Sequence, residues 1–143
     1  MTGVQTCALP ISRAASGIVD AIAEADTILL APSNPYLSIG PIVAVGEIRS
    51  AIERRHVSCV AISPLVGGAA VTGPAARMLT RMAGGATPAH VADRYVGLID
   101  ALVIDESDAP ATAPVELVVT RTLMRDGEDE RRLAELVLEA ACG

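Results

Sequence analysis

The sequence predicts an α/β fold, Rossmann-like, with a mainly parallel sheet and helices on both faces. Two observations predict it. Four short apolar runs, TILLA, VSCVAI, ALVI and VELVVT, alternate with amphipathic segments, as strands and crossover helices do in a parallel sheet. The runs are continuously apolar, the mark of strands covered on both faces.

The elements follow in order. Residues 16–25 (SGIVDAIAEA) place Ile18, Val19 and Ile22 on one helical face, with Ser16 as N-cap. Residues 27–31 form the first strand, ended by Pro32. Residues 32–41 (PSNPYLSIGP) hold three prolines, two serines, an asparagine and a glycine, a composition that breaks regular structure. Pro41 suits the first turn of a helix over residues 42–55, whose Ile42, Val45, Ile48 and Ile52 recur at helical spacing. Gly46 is its weak point. Residues 57–62 are the second strand, and residues 63–73 (SPLVGGAAVTG) a Gly-rich loop. A helix over residues 74–83 has Met78, Leu79 and Met82 as its apolar side. Another runs from Thr87 or Pro88 to about Val96. Residues 101–104 are the third strand, followed by an acidic turn, Asp105-Glu106-Ser107-Asp108. Residues 108–114 make a surface connection to a fourth strand, 115–120. A closing helix from Asp126 or Gly127 to Ala141 buries Leu133, Leu136, Val137 and Ala140.

Composition narrows the function. The 143 residues are 51% hydrophobic and carry a net charge of -6. All basic residues are arginine, and no basic patch is interleaved with aromatics, which argues against nucleic acid. No apolar run reaches the roughly 20 residues of a membrane span, and the start has no basic leader, so the expected setting is cytoplasmic. Cys7, Cys59 and Cys142 show no pairing or metal spacing, and Cys59 reads as a buried thiol. The first twelve residues, MTGVQTCALPIS, resemble a translated sequencing adapter of the kind found in metagenomic assemblies. They are set aside as an artefact or an arm, and residues 13–143 are taken as one piece of a domain. On this reading the natural gene starts upstream, and the N-terminal half of the domain is missing.

Ligands of open α/β sheets bind beyond the carboxyl ends of the strands, and two loops occupy that position. In the first, Ser33, Asn34 and Ser38 offer short polar side chains, Gly40 permits close backbone approach, and a helix start follows. The set suits phosphate or pyrophosphate; it equally suits a turn that only caps a helix. In the second, Gly67, Gly68 and Gly73 could wrap a phosphate with main-chain amides. The loop has neither P-loop nor GxGxxG spacing, and a flexible surface loop is the simpler reading. His56 and His90 are isolated. Asp105, Glu106 and Asp108 could bind a cation through oxygen, but a solvated acidic turn is the more ordinary outcome. Arg49, Arg77 and Arg94 are equivalent candidates for pairing with phosphate. No triad, carboxylate pair or activated cysteine identifies a catalytic group.

Four blocks resemble the 2-phospho-L-lactate transferase family (CofD, called FbiA in actinobacteria). They are EADTILLAPSNPYLSIGPIVAVGEIRSA from Glu24, SPLVGGAAVTGPAARM from Ser63, the stretch from Val91 to Asp108, and Val119 to Asp126. They stand in the family's order. Gly46-Glu47 departs from it, where Pro-Gly is usual. The resemblance implies transfer of a phospho-lactyl or phospho-enolpyruvyl group from a guanosine-diphospho donor to the deazaflavin Fo, with release of GMP, in coenzyme F-420 biosynthesis. It implies Mg2+ and a homodimer for the parent enzyme, with metal and catalytic residues in the missing half and an inactive fragment. Ser33, Asn34, Ser38, Ile39, Gly40, Pro41, Gly67, Gly68 and Gly73 match the family's blocks. Asn34, Ser38 and Gly40 are expected at the diphosphate or nucleotide, and Gly67 and Gly68 in the same cleft. The alternative is a nucleotide-sugar-binding regulator similar to the gluconeogenesis-factor (YvcK-like) proteins, whose loop usually reads PGS-x-apolar-T-S. A dehydrogenase would need GxGxxG after its first strand.

Overall fold

The computed structural model describes residues 12–142. The adapter-like stretch, apart from Ser12, and Cys7 with it, lie outside the described residues.

Four strands form the predicted parallel sheet: β1 (Ile28–Leu30), β2 (Cys59–Ile62), β5 (Ala101–Asp105) and β6 (Glu116–Thr120), in the order β1-β2-β5-β6. The register pairs Leu29 with Val60, Ala61 with Leu102, and Val103 with Val118. Alternation along each strand divides the core in two. Cys59, Ala61, Leu102 and Ile104 face one layer; Val60, Ile62, Ala101 and Val103 face the other. The first layer is closed by α2 (Gly40–Val43), α3 (Gly46–Glu53), α4 (Ala75–Ala83) and α5 (Pro88–Asp93), through Val43, Ile52, Leu79, Val91 and Ala92. The second is closed by α6 (Gly127–Cys142), through Leu133, Val137 and Ala141. Helices therefore cover both faces, as the sequence predicts.

Several details depart from the sequence reading. Helix α1 (Ile18–Glu24) starts at Gly17 in a left-handed conformation, with no side-chain cap, so Ser16 does not serve. None of its residues is fully buried, and Ile22 alone of its apolar face packs against the core. Strand β1 is not covered on both sides. Leu29 is 41% exposed, whereas its neighbour Val60 is 1% exposed under α6. Edge position fits the difference, because the cluster under α6 is built from β2, β5 and β6 residues. The helix expected over residues 42–55 is two helices, broken where Val45 turns extended just before Gly46. In α6 the buried stripe ends on Ala141, with Ala140 half-buried.

Both loops thought irregular are ordered. Pro35–Ile39 winds into a π-helical turn that runs into α2. Leu65–Val66 (β3) and Ala69–Ala70 (β4) pair as an antiparallel hairpin. Its two-residue turn is Gly67-Gly68, with φ of 61° and 73°. Positive φ at both turn positions matches the twist of a tight hairpin and accounts for two consecutive glycines.

Candidate functional site

The carboxyl ends of β1, β2 and β6 open into one cleft of about 420 Å3. Pro32, Ser33, Asn34, Leu37 and Ser38 line it from the β1 exit. Ser63, Pro64 and Val66 come from the β2 exit and the hairpin. Val71, Thr72, Gly73, Pro74 and Ala75 lead into α4, and Thr122, Leu123 and Met124 follow β6. Among the described residues its lining holds hydroxyls, one side-chain amide and apolar walls, with no Arg, His, Asp or Glu.

Local chemistry shapes each wall. Asn34 caps the π-helical turn, its Oδ1 accepting from the amides of Tyr36 (2.8 Å) and Leu37 (3.1 Å). Its Nδ2 faces Met78 Sδ at 3.6 Å, tying the turn to α4. Arg94 stacks over the Tyr36 ring at 4.6 Å and fixes the turn from the α5 side. Helix α4 points its N-terminus at the cleft, has no side-chain cap and carries no acidic residue in its first turn. Its amides and dipole therefore favour an anion there.

Ser33, Asn34 and Ser38 line the cleft together, and Gly73 lines it with them. Gly40 does not line the cleft. A side chain there would meet the Pro35 carbonyl at 2.7 Å, and the Gly40 amide already donates to that oxygen. The close approach that its glycine serves is thus to its own turn. Gly67 and Gly68 also lie outside the cleft's lining, at the hairpin tip beside the 3-10 turn Glu106–Asp108. The Gly68 amide donates to Asp108 Oδ1 at 2.6 Å. Of the arginines, Arg49 pairs with Glu53 at 2.8 Å and Arg94 is held over Tyr36, while Arg77 is exposed; none lines the cleft. His90 Nδ1 shares a hydrogen bond with Thr87 Oγ1 at 2.6 Å.

The acidic turn is where sequence reasoning fell short. Asp105 is the last residue of β5 and is 3% exposed, so it is not a solvated turn residue. Its Oδ1 accepts from the amide and hydroxyl of Ser107. Its Oδ2 accepts from the Thr122 amide (2.8 Å) and hydroxyl (3.2 Å). Burial pushes its pKa up, but these four donors outweigh it and hold the carboxyl at about 2. Asp105 thereby fixes Thr122 in the cleft wall. Ser63 and Thr122, 2% and 6% exposed, were missed as site residues. The signal was present, since the block from Val119 to Asp126 contains Thr122, Leu123 and Met124. Periodicity places those positions merely after a strand and so marks none of them as a site residue.

Magnesium does not fit the described residues. Among them no group of three His, Cys, Asp or Glu could hold a metal. The cleft presents no carboxylate, and both Asp105 oxygens are already occupied by donors. Among the described residues no helix is long and apolar enough to cross a membrane.

Comparison with known proteins joins these observations. The family model described as 2-phospho-L-lactate transferase CofD matches residues 4–134, beginning inside the adapter-like stretch. A 2-phospho-L-lactate transferase of Methanococcus maripaludis is 35% identical over 130 residues, 90% of this chain and 41% of the relative. That of Methanocaldococcus jannaschii is 35% identical over 87% of this chain and 40% of the relative. A phosphoenolpyruvate transferase of Kitasatospora aureofaciens is 40% identical over 91% of this chain and 42% of the relative. The chain therefore spans about two-fifths of the length of the curated relatives it matches. With the family model covering most of its residues, the chain belongs to the 2-phospho-L-lactate transferase CofD family.

Proposed function

We propose that the chain is the cleft-bearing part of an enzyme that moves a phospho-lactyl or phospho-enolpyruvyl group from a guanosine-diphospho donor to the deazaflavin Fo in coenzyme F-420 biosynthesis. The observation that carries this reading is the cleft at the carboxyl ends of β1, β2 and β6. Its hydroxyls, its amide and the uncapped α4 N-terminus suit a diphosphate, and its apolar walls suit a ring. Relatives named for both three-carbon acids leave either donor open.

In the transfer, the Fo hydroxyl oxygen bonds to the phosphorus that carries the three-carbon acid. The bond from that phosphorus to the bridging oxygen breaks, GMP leaves, and the hydroxyl proton passes to solvent. Such a step calls for alignment and charge stabilisation more than for a covalent catalyst. Ser33, Ser38 and the α4 amides would hold diphosphate oxygens, while Asn34 keeps their turn in shape. Gly40, Gly67 and Gly68 would act through backbone geometry, without contact to the diphosphate. Magnesium, in this proposal, is held in the parent enzyme by groups other than the described residues. The parent would work as a cytoplasmic homodimer.

Titration of the purified chain with GDP tests the reading. Binding by the wild type, weakened about 10-fold in Ser38→Ala by loss of one charge-assisted hydrogen bond, is the expected result. Absence of GDP binding overturns it. The chain alone should show no turnover of Fo, and measurable turnover would refute its assignment as an incomplete catalyst.

A further inference from the structure

Ser63 and Thr122 are the two nearly buried hydroxyls of the cleft, and their protons are committed differently. Ser63 Oγ accepts from the Leu65 amide at 3.2 Å, which leaves its own O–H free to donate. Thr122 Oγ1 lies 3.2 Å from Asp105 Oδ2, and the Thr122 amide reaches the same oxygen at 2.8 Å. An ionised carboxylate can only accept. The Thr122 hydroxyl must therefore spend its single proton on Asp105, and its remaining capacity is that of an acceptor.

The cleft is thus divided by hydrogen-bond polarity. Ser63 and the α4 N-terminus are donors, suited to phosphate oxygens. Thr122 repels such oxygens and favours a donor. It continues into Leu123 and Met124, and Leu37, Val66 and Val71 are among the other apolar lining residues. A flat ring suits such walls.

Resting on the proposed function, we infer that Thr122 is a specificity-determining acceptor for a ring N–H of a bound heterocycle, and that Asp105 is the positioning residue that sets its polarity. The ring is either the guanine of the donor or the deazaflavin of Fo, both of which carry an N–H. A ligand made only of phosphate gains nothing from Thr122.

Calorimetric titration of the full chain with GDP, Fo and inorganic pyrophosphate tests this, using wild type, Thr122→Val, Thr122→Ser and Asp105→Asn. Val removes the hydroxyl with little change of shape, and Ser restores it. The expected result is a loss of about 10-fold in affinity for one ring-bearing ligand in Thr122→Val, the cost of one unmet hydrogen bond. Pyrophosphate binding should be unchanged and Thr122→Ser should recover the loss. The ring affected identifies the source. Asp105→Asn should weaken the same ligand, because an Asn amide can donate and free the Thr122 proton to turn toward the cleft. Retained pyrophosphate binding shows that a variant is folded. Equal loss for all three ligands, or no loss in Thr122→Val, overturns this inference and leaves the proposed function standing. A wild-type chain that binds none of the three overturns both.

Discussion

Asp105 concentrates more at one residue than any other side chain near the cleft. It joins the end of β5 to the start of the 3-10 turn and to the residues after β6. Loss of its charge should cost about 2 kcal/mol, the scale of hydrogen bonds to a charged group. Urea unfolding of Asp105→Asn at pH 7 measures it. The folded pKa of about 2 lies below the ordinary 3.8. The carboxylate therefore contributes fully above about pH 4, and the contribution fades as pH falls through about 2. The gap between wild type and Asp105→Asn should close over that window; a gap that persists at pH 2 would contradict the assignment. Cysteines give a second prediction at this scale. Cys59 is fully buried and burial raises its thiol to about 11, whereas Cys142 is exposed. Peptide-mapped alkylation of the native chain should modify Cys142 and spare Cys59 until the fold opens.

At the scale of elements, the hairpin and the π-helical turn are the walls that hold the cleft. The hairpin depends on left-handed backbone at Gly67 and Gly68. Alanine at either position should lower stability by about 1 kcal/mol, the usual penalty for a side chain at positive φ. The accompanying loss of GDP affinity would show that the two glycines, themselves outside the lining, support the wall that Val66 forms. Gly40→Ala is the sharper case. Its Cβ would sit 2.7 Å from the Pro35 carbonyl, which is backbone and cannot swing away. Thermal unfolding should report a loss of about 1–3 kcal/mol. At the opposite end of the sheet, Arg55 and Asp100 pair at 2.8 Å and Asp100 also accepts from the Cys59 amide. These contacts stand away from the strand ends that form the cleft, so they read as supports for the strands.

At the scale of the whole molecule, the described residues leave one face of the edge strand β1 exposed. Strand β1 leaves Leu29 uncovered beside the α6 layer, and Ile18 is 40% exposed. An open apolar edge pairs readily with other chains. Sedimentation at rising concentration should show association, and Leu29→Lys should raise the monomer fraction. A wild-type chain that stays monomeric and unfolds cooperatively would contradict this.

The four strands of the parallel sheet, the approximate helical segments that cover it, the parallel class and the family were legible in the sequence. Each of these rests on local periodicity or on contiguous blocks such as SNPYLSIGP. It also placed Ser33, Asn34 and Ser38 at a strand exit, where the cleft lies. It took the fold to show that Gly40 serves the Pro35 carbonyl, that Gly67 and Gly68 form a hairpin tip outside the cleft lining, and that Asp105 is buried. The reason is physical. Asp105 and Thr122 are 17 residues apart, and their meeting depends on the register of β5 against β6. A run of acidic letters carries no trace of the donors that will surround one of them.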